Sequence, residues 1–152
     1  LGYLDDPEAT AGKYRDGWLV TGDLGWLDGD GYLHLVGRSS EMFLVGGFNV
    51  YPREVEALLE RLSSVREVSV VGVPDARLGS VPMAWIIVDR PGLGEHDVIA
   101  WARENIASYK RPRYVRVVES LPRTANGKVS RVKLEQLARR ALPQLAWEGE
   151  DR

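Results

Sequence analysis

The apolar pattern of this chain changes at Ser40-Glu41, and that change limits its fold more than any other feature. Beyond it, apolar residues recur with the periods of regular structure. Residues 42–45 read as a short apolar strand that Gly46-Gly47 ends, and Pro52 then opens a helix where a missing N–H costs nothing. Val55, Leu58, Leu59 and Leu62 fall at i, i+3, i+4 and i+7, one face of an amphipathic helix. The Val-rich residues 65–73 read as a strand ended by Pro74-Asp75, and residues 83–88 and 114–118 read as two more. Asp97 is placed to cap a helix running to about Ile106, with Trp101, Ala102 and Ile106 turned inward. Ser130 is placed to cap a last helix whose Leu134, Leu137, Ala138, Ala141 and Leu142 form an apolar stripe. Three strands and three helices predict an α+β module, a small and roughly three-stranded central sheet with packed helices.

Residues 1–36 lack those periods. They are rich in Gly, Asp and aromatics, and Asp28-Gly29-Asp30-Gly31 between two apolar runs reads as the loop of a β-hairpin. Gly37-Arg38-Ser39-Ser40 has the small, polar character of a connector. This stretch looks like the edge of something larger, and without an initiator Met the chain reads as a fragment.

The 152 residues, 44% apolar and 28% charged, suit a globular protein of about one domain. The chain has no cysteine, which excludes disulfides, thiolate catalysis and Cys-based zinc sites. His34 and His96 stand far apart without carboxylates at ligand spacing, so no metal site is expected. No apolar run approaches the roughly 20 residues that cross a bilayer, and no secretory leader opens the chain. A cytoplasmic location is the resulting expectation. The net charge of −2 conceals ten basic against two acidic residues between Ser108 and Arg140. Such a basic end suits either a solvated face or a local anionic partner. Nucleic acid is not expected, because no aromatic-basic recognition module is present.

Four segments could carry chemistry. In Thr21-Gly22-Asp23 a glycine permits close approach and a carboxylate can accept hydrogens from a vicinal diol, although a capped turn has the same composition. Gly37-Arg38 offers a permanent cation with a planar fork, or an ordinary surface arginine. Gly46-Gly47 could line a narrow channel or form a tight turn. Pro122-Arg123-Thr124-Ala125-Asn126-Gly127-Lys128 fails as a phosphate loop, since Pro122 and Val129 stand where Gly and Ser or Thr are needed. It does set Lys128 on an Asn-Gly turn, where an ammonium could neutralise phosphoryl or carboxylate charge or simply face solvent.

Read in order, these pieces resemble the adenylate-forming superfamily of acyl- and aryl-CoA synthetases, firefly luciferase and peptide-synthetase adenylation domains. The likeness runs through Gly2-Tyr3, Pro7-Glu8-Ala9-Thr10, Asp16-Gly17-Trp18, Thr21-Gly22-Asp23-Leu24-Gly25 and Asp30-Gly31-Tyr32. It continues through Gly37-Arg38, Gly46-Gly47-Phe48-Asn49-Val50-Tyr51-Pro52, Glu54-Val55-Glu56, Tyr109-Lys110, Pro112 and the Lys128 loop. The glycine-pair segment looks most like CoA ligases for fatty or alicyclic acids.

The resemblance implies that 1–39 is the distal, β-rich end of a large N-terminal adenylation domain, 40–142 a mobile C-terminal lid and 143–152 an acidic tail. It implies an acid–thiol ligase that activates a carboxylate with ATP and Mg2+ as acyl-AMP, then transfers it to CoA. Asp23 would hold the ribose hydroxyls with Arg38 nearby, and Lys128 would reach the α-phosphate and the substrate carboxylate. Gly46 and Gly47 would line the pantetheine tunnel, and a basic face with Lys110 and Arg111 would meet the nucleotide end of CoA. The phosphate loop, the adenine site, most of the Mg2+-ATP site and the acyl pocket belong to the N-terminal partner domain. The fragment alone is therefore expected not to make acyl-CoA. Lys128 also resembles the lysine whose acetylation silences several relatives. Two other readings fit the residues: an adenylation domain that loads a carrier protein, and an α+β binding module without chemistry.

One position departs from the family. The hinge usually carries Asp or Lys where this chain has Ser40. Serine can absorb backbone rotation but cannot make the ion pair that steadies one pose. In the intact enzyme, Ser40→Asp or Ser40→Lys should change the ratio of adenylation to thioester-forming rates. Half-reaction kinetics that give an unchanged ratio would remove the idea.

Overall fold

The computed structural model describes residues 2–89 and 92–147, with only the backbone course given for 143–147. The chain divides into two compact units, Leu1–Ser40 and Glu41–Arg152.

The first unit holds a short helix α1 (Pro7–Ala11) and two hairpins. Asp6 caps α1 by accepting the Ala9 N–H at 2.9 Å. Strands β1 (Tyr14–Arg15) and β2 (Trp18–Leu19) pair antiparallel, as do β3 (Asp23–Leu27) and β4 (Leu33–Arg38). The loop between β3 and β4 is organised by Asp28, whose carboxylate accepts the Asp30 and Tyr32 N–H groups and contacts His34 Nε2 at 2.6 Å. The His34 contact is the main cause holding the Asp28 carboxyl below its ordinary value. His34 also stacks on Trp26, with ring centroids 4.3 Å apart. No described residue of this unit is buried; Trp18 is 80% and Tyr32 71% exposed.

The second unit contains β5 (Phe43–Val45), β6 (Phe48–Val50), α2 (Pro52–Leu59), β7 (Val65–Asp75), β8 (Gly79–Val88), α3 (Glu95–Asn105), β9 (Tyr114–Val117) and α4 (Arg131–Trp147). Their sheet runs β6-β5-β8-β7, with β9 pairing parallel to β8. The α+β class is as expected, but the sheet has five strands where the sequence suggests about three. The short apolar strand expected at 42–45 joins the sheet as β5, and β6 is the strand that the sequence pattern does not announce. Gly46 and Gly47 have φ of 56° and 89°, the two left-handed positions of a two-residue hairpin turn, so the chain turns back before entering α2.

Alternation along β7 and β8 sends side chains to two cores. Val68, Val70, Ala84 and Ile86 pack with Val55 and Leu59 of α2 and with Val98 and Ala102 of α3. Val71, Val73, Met83 and Trp85 face the other way, onto Leu134 and Ala138 of α4. Burial on both faces is why these strands read as nearly continuous apolar runs. Asp97 acts from inside α3, its carboxylate accepting the Gly94 N–H at 2.8 Å, so it completes the cap rather than opening the helix. On α4 the inward stripe is Leu134, Ala138, Ala141 and Leu142, while Leu137 is exposed. That helix continues past Pro143 to Trp147, although proline can accept no N–H role in the ladder there. Residues 148–152 of the expected tail lie outside the described residues.

One carboxylate lies inside the second unit. Glu56, 3% exposed, accepts the Val70 N–H at 2.9 Å and two bonds from the Arg131 guanidinium at 2.8 and 3.2 Å. Arg131 also donates to the Val70 carbonyl at 2.7 Å and pairs with Glu41 at 3.1 Å. A buried charge left without its partner is heavily penalised. Arg131→Met should therefore lower unfolding stability by about 3 kcal/mol, read as a shift in the urea midpoint at unchanged slope. A shift inside experimental error would mean that Glu56 is solvated some other way.

Candidate functional site

In the first unit, β3 and β4 set Asp23 directly opposite Arg38. Arg38 Nε donates to Asp23 Oδ1 at 2.9 Å and Nη2 reaches the Thr21 carbonyl at 3.3 Å. Thr21 Oγ1 accepts the Asp23 N–H at 3.1 Å, and Gly22 turns with φ of 79°. The Gly22 carbonyl accepts both the N–H and the hydroxyl of Ser39, at 2.9 and 3.1 Å. Asp23 is thus oriented by one oxygen. Its second oxygen makes no hydrogen bond among the described residues, so an acceptor faces outward beside a cation. Ser40 lies in a single 3-10 turn, Ser39–Glu41, where the two units divide.

In the second unit, the glycine turn sits at a cavity of about 490 Å3. Gly46, Phe48 and Tyr109 line it together with Arg77, Arg103, Arg111 and Arg113. Phe48 stacks on Tyr109 at 4.8 Å between centroids, and the Gly46 N–H bonds the Leu78 carbonyl at 2.9 Å. These contacts hold the hairpin against the body of the unit. The basic residues near it are not equivalent. Lys110 is paired with Glu54 and lies 5.4 Å from the Tyr109 ring centroid. Burial alone would lower the Lys110 ammonium, but Glu54 and Tyr109 together outweigh it and the net shift is upward. Arg111 donates to the Arg103 and Ile106 carbonyls, closing the C-terminal end of α3. Arg113 pairs with Asp75 at 3.2 Å. The Leu78 and Arg77 N–H groups, with Arg113 beside them, hold the Asp75 carboxyl below its ordinary value. Arg77 and Arg103 have no ion-pair partner among the described residues. The basic stretch is therefore less of an open cationic face than its composition suggests. Sequence reading missed Arg77 and Arg103, because neither belongs to a motif and only the fold brings them to one cavity.

Lys128 lies on a third element, the loop between β9 and α4. The loop is closed by Ser130 N–H to Pro122 O at 2.7 Å, Thr124 N–H to Lys128 O at 2.7 Å and Gly127 N–H to Thr124 O at 2.9 Å. Gly127 takes φ of 78°, as the Asn-Gly signal implies. Lys128 is exposed, and its ammonium has no partner among the described residues. Those residues hold no cluster of His, Asp and Glu able to bind a metal ion, and no helix long and apolar enough to cross a membrane.

The AMP-binding enzyme C-terminal domain family matches residues 54–128. The match takes in α2, the β7–β8 hairpin, α3, β9 and the loop up to Lys128. The chain is 51% identical, over 90% of its length, to a (7a-methyl-1,5-dioxo-octahydro-1H-inden-4-yl)propanoyl:CoA ligase of Mycobacterium tuberculosis. It spans 27% of that relative. Among solved structures it is similar to ATP-bound MatB from Rhodopseudomonas palustris, at 37% identity and a TM-score of 0.81, over 90% of this chain and 28% of that one. It is also similar to o-succinylbenzoate CoA synthetase from Bacillus subtilis in complex with its acyl-adenylate intermediate, at 36% identity and a TM-score of 0.80. That match covers 88% of this chain and 28% of the synthetase.

The glycine turn of the second unit can be tested locally. A Cβ added at Gly47 meets nothing within 4 Å, so any cost there comes from the left-handed backbone and not from a clash. Gly47→Ala should destabilise the domain by about 1 kcal/mol in urea unfolding, and Gly47→Asn by less. Equal stability of Ala and wild type would show that the turn relaxes to another form.

Proposed function

We propose that this chain is the C-terminal part of an ATP-dependent carboxylic acid–CoA ligase. The reading is carried by one observation: an unpaired lysine, Lys128, on a closed and exposed loop of an AMP-binding C-terminal domain. In the first step a carboxylate oxygen attacks the α-phosphorus of Mg-ATP, giving acyl-AMP and releasing pyrophosphate. Lys128 offsets charge on the phosphoryl and carboxylate oxygens as it builds. In the second step the CoA sulfur attacks the acyl carbon and AMP leaves.

Asp23, held by Arg38 through one oxygen, offers its other oxygen to the ribose hydroxyls of the nucleotide. The Gly46-Gly47 turn presents backbone without side chains, which suits the thin pantetheine arm of CoA. The adjoining cavity receives the phosphates of the CoA nucleotide, with Arg77 and Arg103 as the guanidiniums not already engaged. Ser40 serves as the pivot between 1–39 and the lid at 40–142, so the same site meets different lid faces in the two steps. The unburied first unit, with Trp18 80% exposed, is covered by the N-terminal domain that also holds most of the Mg2+-ATP site.

Lys128→Gln in the intact ligase should slow acid-dependent pyrophosphate release by about 100-fold or more. Thioester formation from supplied acyl-adenylate and CoA should persist. Equal loss of both half-reactions, or of neither, would count against this assignment of Lys128.

A further inference from the structure

We infer that Arg123 and Glu67 are positioning residues for Lys128, a brace that fixes the peptide unit from which its side chain projects. The inference rests on the proposed ligase function. Arg123 Nη2 donates to both carboxylate oxygens of Glu67, at 2.9 and 2.7 Å, and Nη1 donates to the Gly127 carbonyl at 2.9 Å. Glu67 belongs to β7, the edge strand that pairs along its length with β8. The Gly127 carbonyl belongs to the peptide bond leading into Lys128. One planar guanidinium therefore ties that peptide to the sheet.

The loop has no other such tie. Its three backbone bonds close it upon itself, and its ends are fixed by Leu121 in the core, by Val129 packed against that core and by Arg131 at the start of α4. Among the described residues, no other side-chain hydrogen bond connects positions 124–128 to the rest of the unit. Without Arg123 the tip can tilt about its two fixed ends, and the Cα of Lys128 moves with it. Both side chains of the brace are partly exposed, 48% for Arg123 and 29% for Glu67, so removing it leaves the two cores intact. A misplacement of about 1 Å at a reacting group can lower a rate by about 100-fold. Two nitrogens of one rigid plane, Nη2 on the carboxylate and Nη1 on the carbonyl, fix a direction that a lysine ammonium on its flexible stem does not.

The test uses the intact ligase and the variants Arg123→Ala, Glu67→Gln, Lys128→Ala and the double variant Arg123→Ala/Lys128→Ala. Arg123→Ala and Glu67→Gln should each lower kcat for adenylation by about 10-fold to 100-fold, with KM for ATP and acid little changed. Thioester formation from supplied acyl-adenylate and the melting midpoint should stay near wild type. In the Lys128→Ala background, Arg123→Ala should cause no further loss, because there is no ammonium left to place. Loss of adenylation by Lys128→Ala with none by Arg123→Ala or Glu67→Gln overturns the brace and leaves the ligase reading standing. An equal further loss in the double variant, or a parallel fall of both half-reactions, also overturns it. Full adenylation by Lys128→Ala overturns the ligase assignment of that lysine and the brace together.

Discussion

Arg131 gathers segments that are far apart in sequence. Its guanidinium meets Glu41 just after the division of the two units, Glu56 on α2 and the Val70 carbonyl on β7, while its own backbone begins α4. The Glu56 carboxylate is buried; Arg131 and the Val70 N–H are its hydrogen-bond donors, and Arg53 stands 3.8 Å from its other side. Such a cluster contributes little net stability compared with an apolar packing of the same volume, but it tolerates no substitution of one member alone. Its consequence here is geometric. The first residue run of the second unit, its first helix α2, the β7–β8 hairpin and the helix that follows Lys128 are held in one register.

On that frame the positions of interest all lie at the ends of elements. The glycine turn joins β5 to β6, the arginine-lined cavity opens beside it, and the Lys128 loop joins β9 to α4. Two cores, one on each face of β7 and β8, keep the elements rigid, so the loops can be precise without being buried. Asp23 and Arg38 follow the same rule in the first unit, where paired strand ends fix one carboxylate oxygen and leave the other outward.

Much of this was legible in the residues. The helical face of Val55, Leu58 and Leu59 and the Val-rich run of β7 follow from period and composition, because burial acts on single residues at fixed spacing. The Gly46-Gly47 turn was legible as a special backbone but not as a hairpin. Glycine permits several conformations, and only the pairing of Phe43 with Val50 decides among them. The length of α4 was misjudged because proline forbids one hydrogen bond, not the whole helix. Periodicity places Leu137 inward, yet Leu134 and Ala138 take the buried positions and Leu137 stands 41% exposed. The Arg123–Glu67 and Arg131–Glu56 pairs were invisible, since an ion pair between distant residues leaves no trace in local pattern.

The basic composition of the region after Ser108 also has a different meaning in three dimensions. Between Ser108 and Arg131 there are seven basic residues, and six are engaged: Lys110 with Glu54, Arg111 with the end of α3, Arg113 with Asp75, Arg116 with Glu95, Arg123 with Glu67 and Arg131 with Glu41 and Glu56. Those partners mostly come from the acidic remainder of the chain, so the apparent charge asymmetry is largely cancelled where it matters. Lys128 is the exception among the described residues. An ammonium that meets an anionic ligand without first breaking an ion pair keeps the whole of that new interaction, whereas its six neighbours would surrender one contact to gain another. The unpaired state of Lys128 and the brace behind it are therefore two parts of one arrangement: a free charge, held at a fixed origin.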